Sequence, residues 1–477
     1  EFTEESGALL FDFDNDGDLD LYLGKGGFEQ EEGKIYQPGL YVNTRGVFSL
    51  NNDLLPEINS STSCARAADF DQDGDLDLFI GGRVIPGRYP LPPQSYLLKN
   101  ENGKYIDATT EVSPELMSLG LVTDAIWSDY DNDGLVDLIV TGELMSTTVL
   151  KNENGKLTKA KSTLDTYVGW WNSITGADFD QDGDTDYVVG NLGLNNWYKV
   201  SEQKPLRVFA KDLDNNGSVE SLLFCYSKMA DGTEQLCPVH FWDELNQQSP
   251  RFRRQFSRYK HFSKSTWETL LSEADKKDAY IKDVNYAASV YIENLGAGNF
   301  KVHPLPVDTQ LAPVNGILAM DVNGDSWTDV LLVGNDFGNE VFIGRYDALT
   351  GVTLLNDQKG GFKVAPTQRS GFYVPHDAKA LVQIAKPGGN LIVASQNRDS
   401  LKVFSTSNSV VATFKPERLD AFAILTFADG RKQKIEFYYG AGFHSQSTRV
   451  VNIPKEVLEI EIINSKGERR KITPKPI

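Results

Sequence analysis

At 477 residues and 40% hydrophobic content the chain can bury a sizeable core, and length alone would divide it into about three domains. Its formal charge of −20 and single basic stretch argue against nucleic acid as a partner, and no apolar run approaches the roughly 20 residues that cross a bilayer, so no transmembrane segment is expected in this chain. Three cysteines, Cys64, Cys225 and Cys237, are too few for a disulfide scaffold. Cys225 and Cys237 flank a hairpin expected at Ala230 to Thr233, where free, packed thiols are favoured over a bridge.

The first element is DFDNDGDLD from Asp12, five aspartates in nine residues ahead of the apolar run LYLG. Neighbouring carboxylates disfavour one another's ionisation unless a cation neutralises them. Calcium takes six to eight oxygens, and alternating Asp with a tight Gly turn presents them on one side of a loop. The string recurs as DFDQDGDLD, DYDNDGLVD, DFDQDGDTD, DLDNNGSVE and DVNGDSWTD. Taking positions 1, 3, 5, 7 and 9, with position 7 offering its carbonyl, the expected ligands are as follows. Loop one uses Asp12, Asp14, Asp16, Asp18 and Asp20, and loop two Asp69, Asp71, Asp73, Asp75 and Asp77. Loop three uses Asp129, Asp131, Asp133, Leu135 and Asp137, and loop four Asp178, Asp180, Asp182, Asp184 and Asp186. Loop five uses Asp212, Asp214, Asn216, Ser218 and Glu220, and loop six Asp321, Asn323, Asp325, Trp327 and Asp329, with its glycine moved forward to Gly324. About five to six structural calcium ions are expected.

An EF-hand needs a bidentate Glu at position 12 and a following helix. Position 12 is instead Leu23, Ile80, Val140, Val189, Leu223 or Leu332, inside short apolar runs that read as strands buried on both faces. The loops hold 25 carboxylates, so six calcium ions would bring the formal charge to about −8. The acidity therefore reports metal sites more than partners.

A second signal, N-x-x-G-x-F or a close variant, begins at Asn43, Asn100, Asn152, Asn294 and Asn356 and reads as a hairpin. Each unit becomes strand, loop, strand, connection, strand, hairpin, strand, the arithmetic of a β-propeller blade. Six loops mark six blades, and the segment from Ala380 adds a seventh with a Pro-Gly-Gly turn in place of the clasp. The expected fold is all-β: a seven-bladed β-propeller over 1–411, and a small β domain over 412–477. The wide gap between loops five and six leaves room for a helical insertion at about 241–284, with Ser249-Pro250 as a helix start and Ser265 with Glu268 as a capping box. Within it, RFRRQFSRYKHFSK (Arg251 to Lys264) carries six basic residues and no acid, either docking a partner or packing on the propeller with its arginines paired. Because the chain opens inside a repeat, Glu1 is read as the edge of a processed or trimmed product.

With these residues in place, the chain resembles the FG-GAP/VCBS repeat family, which includes the calcium-bearing propellers of integrin α subunits; the match covers roughly residues 7 to 405. YYGAGFHSQSTR (Tyr438 to Arg449) resembles the signature of the ASPIC/UnbV domain, between hairpins turning at Asp429-Gly430 and Ser465-Lys466-Gly467. The resemblance implies an extracytoplasmic location at the bacterial outer-membrane surface and carries no catalytic residues across. It also places the calcium loops on a lower face and the connection after each second strand on an upper one. There Arg83, Arg88, Tyr89, Glu143, Asn191, Trp197, Asn335, Asp336, Asn397 and Arg398 are the candidate ligand-binding residues.

Five scattered histidines show no metal or catalytic spacing. The favoured reading is a non-catalytic surface scaffold that binds a protein, as accessory subunit of an outer-membrane assembly. The rival is a glycan-binding or glycan-cleaving propeller with an aromatic rim around Trp170, Trp171 and Trp197.

Overall fold

The computed structural model describes residues 4–341, 343–386, 389–406 and 412–473. Short apolar runs become strands, paired antiparallel into small sheets. The first sheet holds Glu4–Phe11, Asp20–Gly26, Gly39–Thr44 and Val47–Leu50; the second holds Ser61–Ala68, Asp77–Val84, Tyr96–Asn100 and Tyr105–Asp107. The third is built on Leu121–Ser128 and Asp137–Ser146, the fourth on Ser173–Ala177 and Asp186–Gly190, the fifth on Val314–Met320 and Asp329–Gly334, and the sixth on Ala378–Lys386 and Gly389–Gln396.

In every sheet the first strand packs against the first strand of the next, from Glu4–Phe11 round to Ala378–Lys386. Alternation explains how. In the second sheet Leu78 and Ile80 fill the core shared with the first sheet, while Phe79 between them fills the core shared with the third. In the fifth, Val330 and Leu332 face the fourth sheet and Leu331 and Val333 face the sixth. Such strands have no solvent face, so their sequence is apolar throughout rather than alternating.

The fifth expected blade is an insertion. Strand Asp186–Gly190 pairs with Val290–Asn294, so the fourth sheet opens at residue 190 and resumes at 290. The intervening chain makes its own sheet from Leu206–Lys211, Glu220–Lys228, Glu234–Pro238 and Tyr280–Val284. Six sheets thus succeed one another around the axis among the described residues, where seven blades were expected. The expected helices form between Trp242 and Lys276 in short pieces, because Phe252, Phe262, Trp267 and Leu270 bury against Phe209, Leu222 and Phe224 of the inserted sheet rather than against the ring. Thr266, not Ser265, caps Trp267–Leu270. Cys225 and Cys237 stand opposite each other across two strands, with free thiols.

Both C-terminal hairpins form as expected, in one sheet of Lys432–Glu436, Asp420–Phe427, Val457–Asn464 and Arg469–Ile472. The boundary expected at 411/412, the chain ends at 1–3 and 474–477, and most of the Pro-Gly-Gly turn at 387–388 lie outside the described residues. Sixth and first sheets are joined through residues 446–448 of the C-terminal segment. Gln446 bonds both the N–H and the carbonyl of Leu10 at 2.7 and 3.0 Å, while Ser447 and Thr448 bond Gln383. Beside it, the buried Arg66 guanidinium pairs with Asp124 and donates to the Gly442 carbonyl at 3.1 Å, while Asp124 accepts the Ile174 N–H at 3.0 Å. One ion pair therefore ties the second, third and fourth sheets to the C-terminal segment. No described helix is long and apolar enough to cross a membrane.

Candidate functional site

Each acidic loop joins the first two strands of a sheet, and all six fold alike. The position-1 side chain accepts the N–H of position 6, as from Gly17 to Asp12 at 3.2 Å, Gly134 to Asp129 at 3.1 Å and Gly217 to Asp212 at 2.8 Å. The position-5 side chain accepts the N–H of position 7, at 2.8 Å for Asp16 and 2.9 Å for Asp182. Positions 4 and 6 both take positive φ, for example Asn132 at 57° and Gly134 at 88°. Loop six keeps this path with its glycine displaced: Gly324 (81°) sits at position 4 and Ser326 (68°) at position 6, its N–H held by Asp321 at 2.9 Å.

In loops one to three the carboxylates at positions 1, 3 and 9 bring oxygens within 4.8 Å of one another; in loop four those at positions 1, 3 and 5 do. A cation fits here because buried oxygens of these groups lack protein partners: Asp77 Oδ2, Asp131 Oδ1, Asp137 Oδ2, Asp178 Oδ1 and Glu220 Oε1. Unanswered buried oxygens are costly, and a divalent ion answers several at once. Burial also pushes the position-9 acids up, Asp20 and Asp329 to about 6, Asp137 and Asp186 to about 8, Asp77 to about 9. Lys99 and Lys151 reach in from the third strand, pairing with Asp71 at 2.5 Å and with Asp131 and Asp133.

Sequence reasoning took the recurrent Asn for a turn residue and missed its larger task. Its backbone N–H donates to the position-9 carboxylate at 2.7–2.8 Å, from Asn43, Asn100, Asn152, Asn294 and Asn356. From the second sheet onward its side-chain amide also reaches the position-2 carbonyl of the preceding loop: Asn100 to Phe13, Asn152 to Phe70, Asn294 to Tyr130 and Asn356 to Phe179, all at 2.7–2.9 Å. Loops one to four are thus each clamped by the following sheet of the ring. Recurrence of Asn at the head of the same N-x-x-G-type turn was the available signal.

On the opposite face the ten candidate ligand residues divide. Arg83 pairs with Glu143 at 2.7 Å and the Tyr89 hydroxyl donates to the same carboxylate, so three residues from two sheets converge. Leu144 beside them is buried at a positive φ of 58°, a local strain. Trp197 is 71% exposed, and Trp170 stacks on Tyr198 at 5.5 Å. Arg88, Asn397 and Arg398 are exposed, with Asn397 donating to Asp377. Asp336 is held locally, bridging to Tyr346 and accepting from Gly338.

Asn191 and Asn335 are corrections. Both are fully buried, Asn191 bonding Trp170 and Ala288, Asn335 bonding Leu349 and His376, so their amides are consumed by backbone and present nothing at the mouth. Trp171 is likewise core, 2% exposed. A cavity of about 650 Å³ lies away from this mouth, between the ring and the C-terminal domain beside loop six. The histidines are engaged separately: His240 with Glu244, His261 with Ser257, His303 with Glu293, His376 with Asp399 and His444 with the Ser63 carbonyl.

A family model for the FG-GAP-like repeat matches residues 10–80 and 129–189, which span loops one to four. The chain carries FG-GAP-like repeats. No curated protein matches it. Among solved structures, the V. cholerae biofilm matrix protein Bap1 is 12% identical, with 86% of this chain and 90% of that one covered and a TM-score of 0.28. Rhamnogalacturonan lyase YesW is 14% identical over 94% and 73%, TM-score 0.33, and the Bacillus licheniformis rhamnogalacturonan lyase PL11 is 11% identical over 99% and 72%, TM-score 0.27. Similarity at this level carries no argument about activity.

Proposed function

We propose that the protein is a calcium-stabilised, extracytoplasmic binding propeller without catalytic activity, capped by an ASPIC/UnbV-like domain. The observation that carries the metal reading is the set of buried carboxylate oxygens turned into the loops without a protein partner, at Asp77, Asp131, Asp137, Asp178 and Glu220. Calcium there supplies charge neutralisation and cross-linking of loop oxygens. The FG-GAP-like repeats support an extracellular setting. The binding residues we assign are Arg83, Tyr89 and Glu143, where charge, a hydroxyl and strained backbone meet on the face opposite the loops. The partner is a surface or outer-membrane protein.

A glycan is the second reading, favoured by the exposed Trp197 beside the Trp170–Tyr198 stack. Affinity isolation of the full chain from its own cells, in calcium and in chelator, tests both. A stoichiometric protein that is lost in chelator and with Arg83→Glu supports the scaffold. Isolation alone, with binding on a glycan array that Trp197→Ala abolishes, supports the second reading; isolation alone with no glycan bound overturns both.

A further inference from the structure

The C-terminal domain sits against the acidic loops and against some of them only. Ser465 Oγ donates to Asp69 Oδ2 at 2.6 Å, and Gln72, at position 4 of the same loop, donates to the Ser465 carbonyl at 2.6 Å. The Lys434 backbone N–H donates to Asp178 Oδ2 at 2.9 Å, leaving Asp178 Oδ1 buried and unpartnered. In loop three, Glu436 accepts the Asp129 N–H at 3.0 Å, and the Lys434 ammonium bonds the Asp129 carbonyl at 2.8 Å and Asn132 Oδ1 at 2.7 Å. Among the described residues, no hydrogen bond runs from 12–20 or 212–220 to this domain.

The contacts include the position-1 residues, through the carboxylate in loops two and four and through the backbone in loop three, and the position-4 residues Gln72 and Asn132 that set the loop path. A donor on the outer oxygen of a ligating carboxylate fixes its rotamer and aims its other oxygen inward, and losing such a partner typically weakens a metal site 10- to 100-fold. Lys434 adds a positive charge, but Glu436 answers it at 3.2 Å, so an ion in the loop meets a neutral pair.

We infer that the C-terminal domain forms the outer shell of the metal sites in loops two, three and four, so that ion binding there and docking of this domain are one coupled equilibrium. The inference rests on the calcium reading above. Coupling is reciprocal: what the domain gives the ions, the ions give the domain. Loops one and five bind outside this linkage.

The test is calcium titration of the full chain by calorimetry, with hydrogen–deuterium exchange followed at 432–438 and 464–468. Calcium is expected to slow exchange in both segments about tenfold or more over chelator, and Ser465→Ala to weaken one site about tenfold and to lower the melting temperature more in calcium than in chelator. A second variant works from the other side. Asp71→Asn removes a loop-two ligand that does not touch the domain, and it is expected to speed exchange at 464–468 in calcium while 432–438 stays protected. If ions bind yet exchange is the same in calcium and chelator and Ser465→Ala titrates like the native chain, the coupling is wrong and the calcium reading stands. If calorimetry detects no ions, both fall.

Discussion

Loops four and five have nearly the same motif and bond their backbones the same way, yet they live in different surroundings. Loop four lies under the C-terminal domain, its Tyr130-side neighbour clamped by Asn294 and its own Phe179 carbonyl by Asn356. Burial pushes Asp178 to about 7 and Asp186 to about 8. Loop five stands on the inserted sheet with no clamping Asn among the described residues, and backbone N–H groups led by that of Gly217 hold Asp212 below the usual carboxylate range. A motif of nine residues therefore fixes loop conformation, while the energetic weight of the loop comes from what is packed on it.

The largest way to probe that difference is to remove the calcium ions we propose. With dissociation constants of about 10⁻⁴ to 10⁻³ M, tenfold saturation contributes roughly 1.4 kcal/mol per site, and six sites approach the net stability of a domain. Excess chelator is expected to lower the melting temperature steeply, and an unchanged melting curve would refute a structural role. Next comes the clamp. Asn152→Ala strips hydrogen bonds from the buried carbonyls of Phe70 and Val136, at 2.7 and 2.9 Å, and should cost about 2–3 kcal/mol in denaturant unfolding. A loss under about 0.5 kcal/mol would mean that the sheets hold together without it.

A third probe is pH in chelator. Asp77, Asp137 and Asp186 titrate near 8–9 when folded and near 3.9 when unfolded, so between these values the folded chain binds more protons. Stability is then fullest below about pH 4 and is lost as pH rises through 8–9. Melting in chelator should fall from pH 5.5 to pH 8.5, and calcium, which needs the deprotonated ligands, should abolish or invert that slope. The smallest effect belongs to loop five: Asp214→Asn should lose one ion yet move the main melting transition by about 1 °C or less. A shift as large as that of Asp137→Asn would erase the contrast between the loops.

The conformation of the acidic loops was legible because their spacing is local, and the acid at position 9 in place of position 12 separated them from a helix-flanked loop. Even loop six kept its geometry, since Gly324 and Ser326 exchange the two positive-φ positions. What failed was non-local. The 34- and 109-residue spacings around loop five were visible in the sequence, but only the pairing of Val188 with Tyr291 shows that the fourth sheet encloses the insertion. Ring joining by Gln446 and Thr448 rests on partners some 60 to 440 residues away. Gly-Asn at the mouth was read as presented polar groups, whereas Asn191 and Asn335 turn inward because the buried connections leave backbone groups that need partners.

The most direct measurement is native mass spectrometry of the full chain, equilibrated in millimolar calcium and compared with Asp77→Asn, Asp137→Asn and Asp186→Asn. Five to six bound calcium ions, with one fewer in each variant, is the predicted result. A metal-free mass in saturating calcium, or a count that none of the three variants changes, would contradict the account.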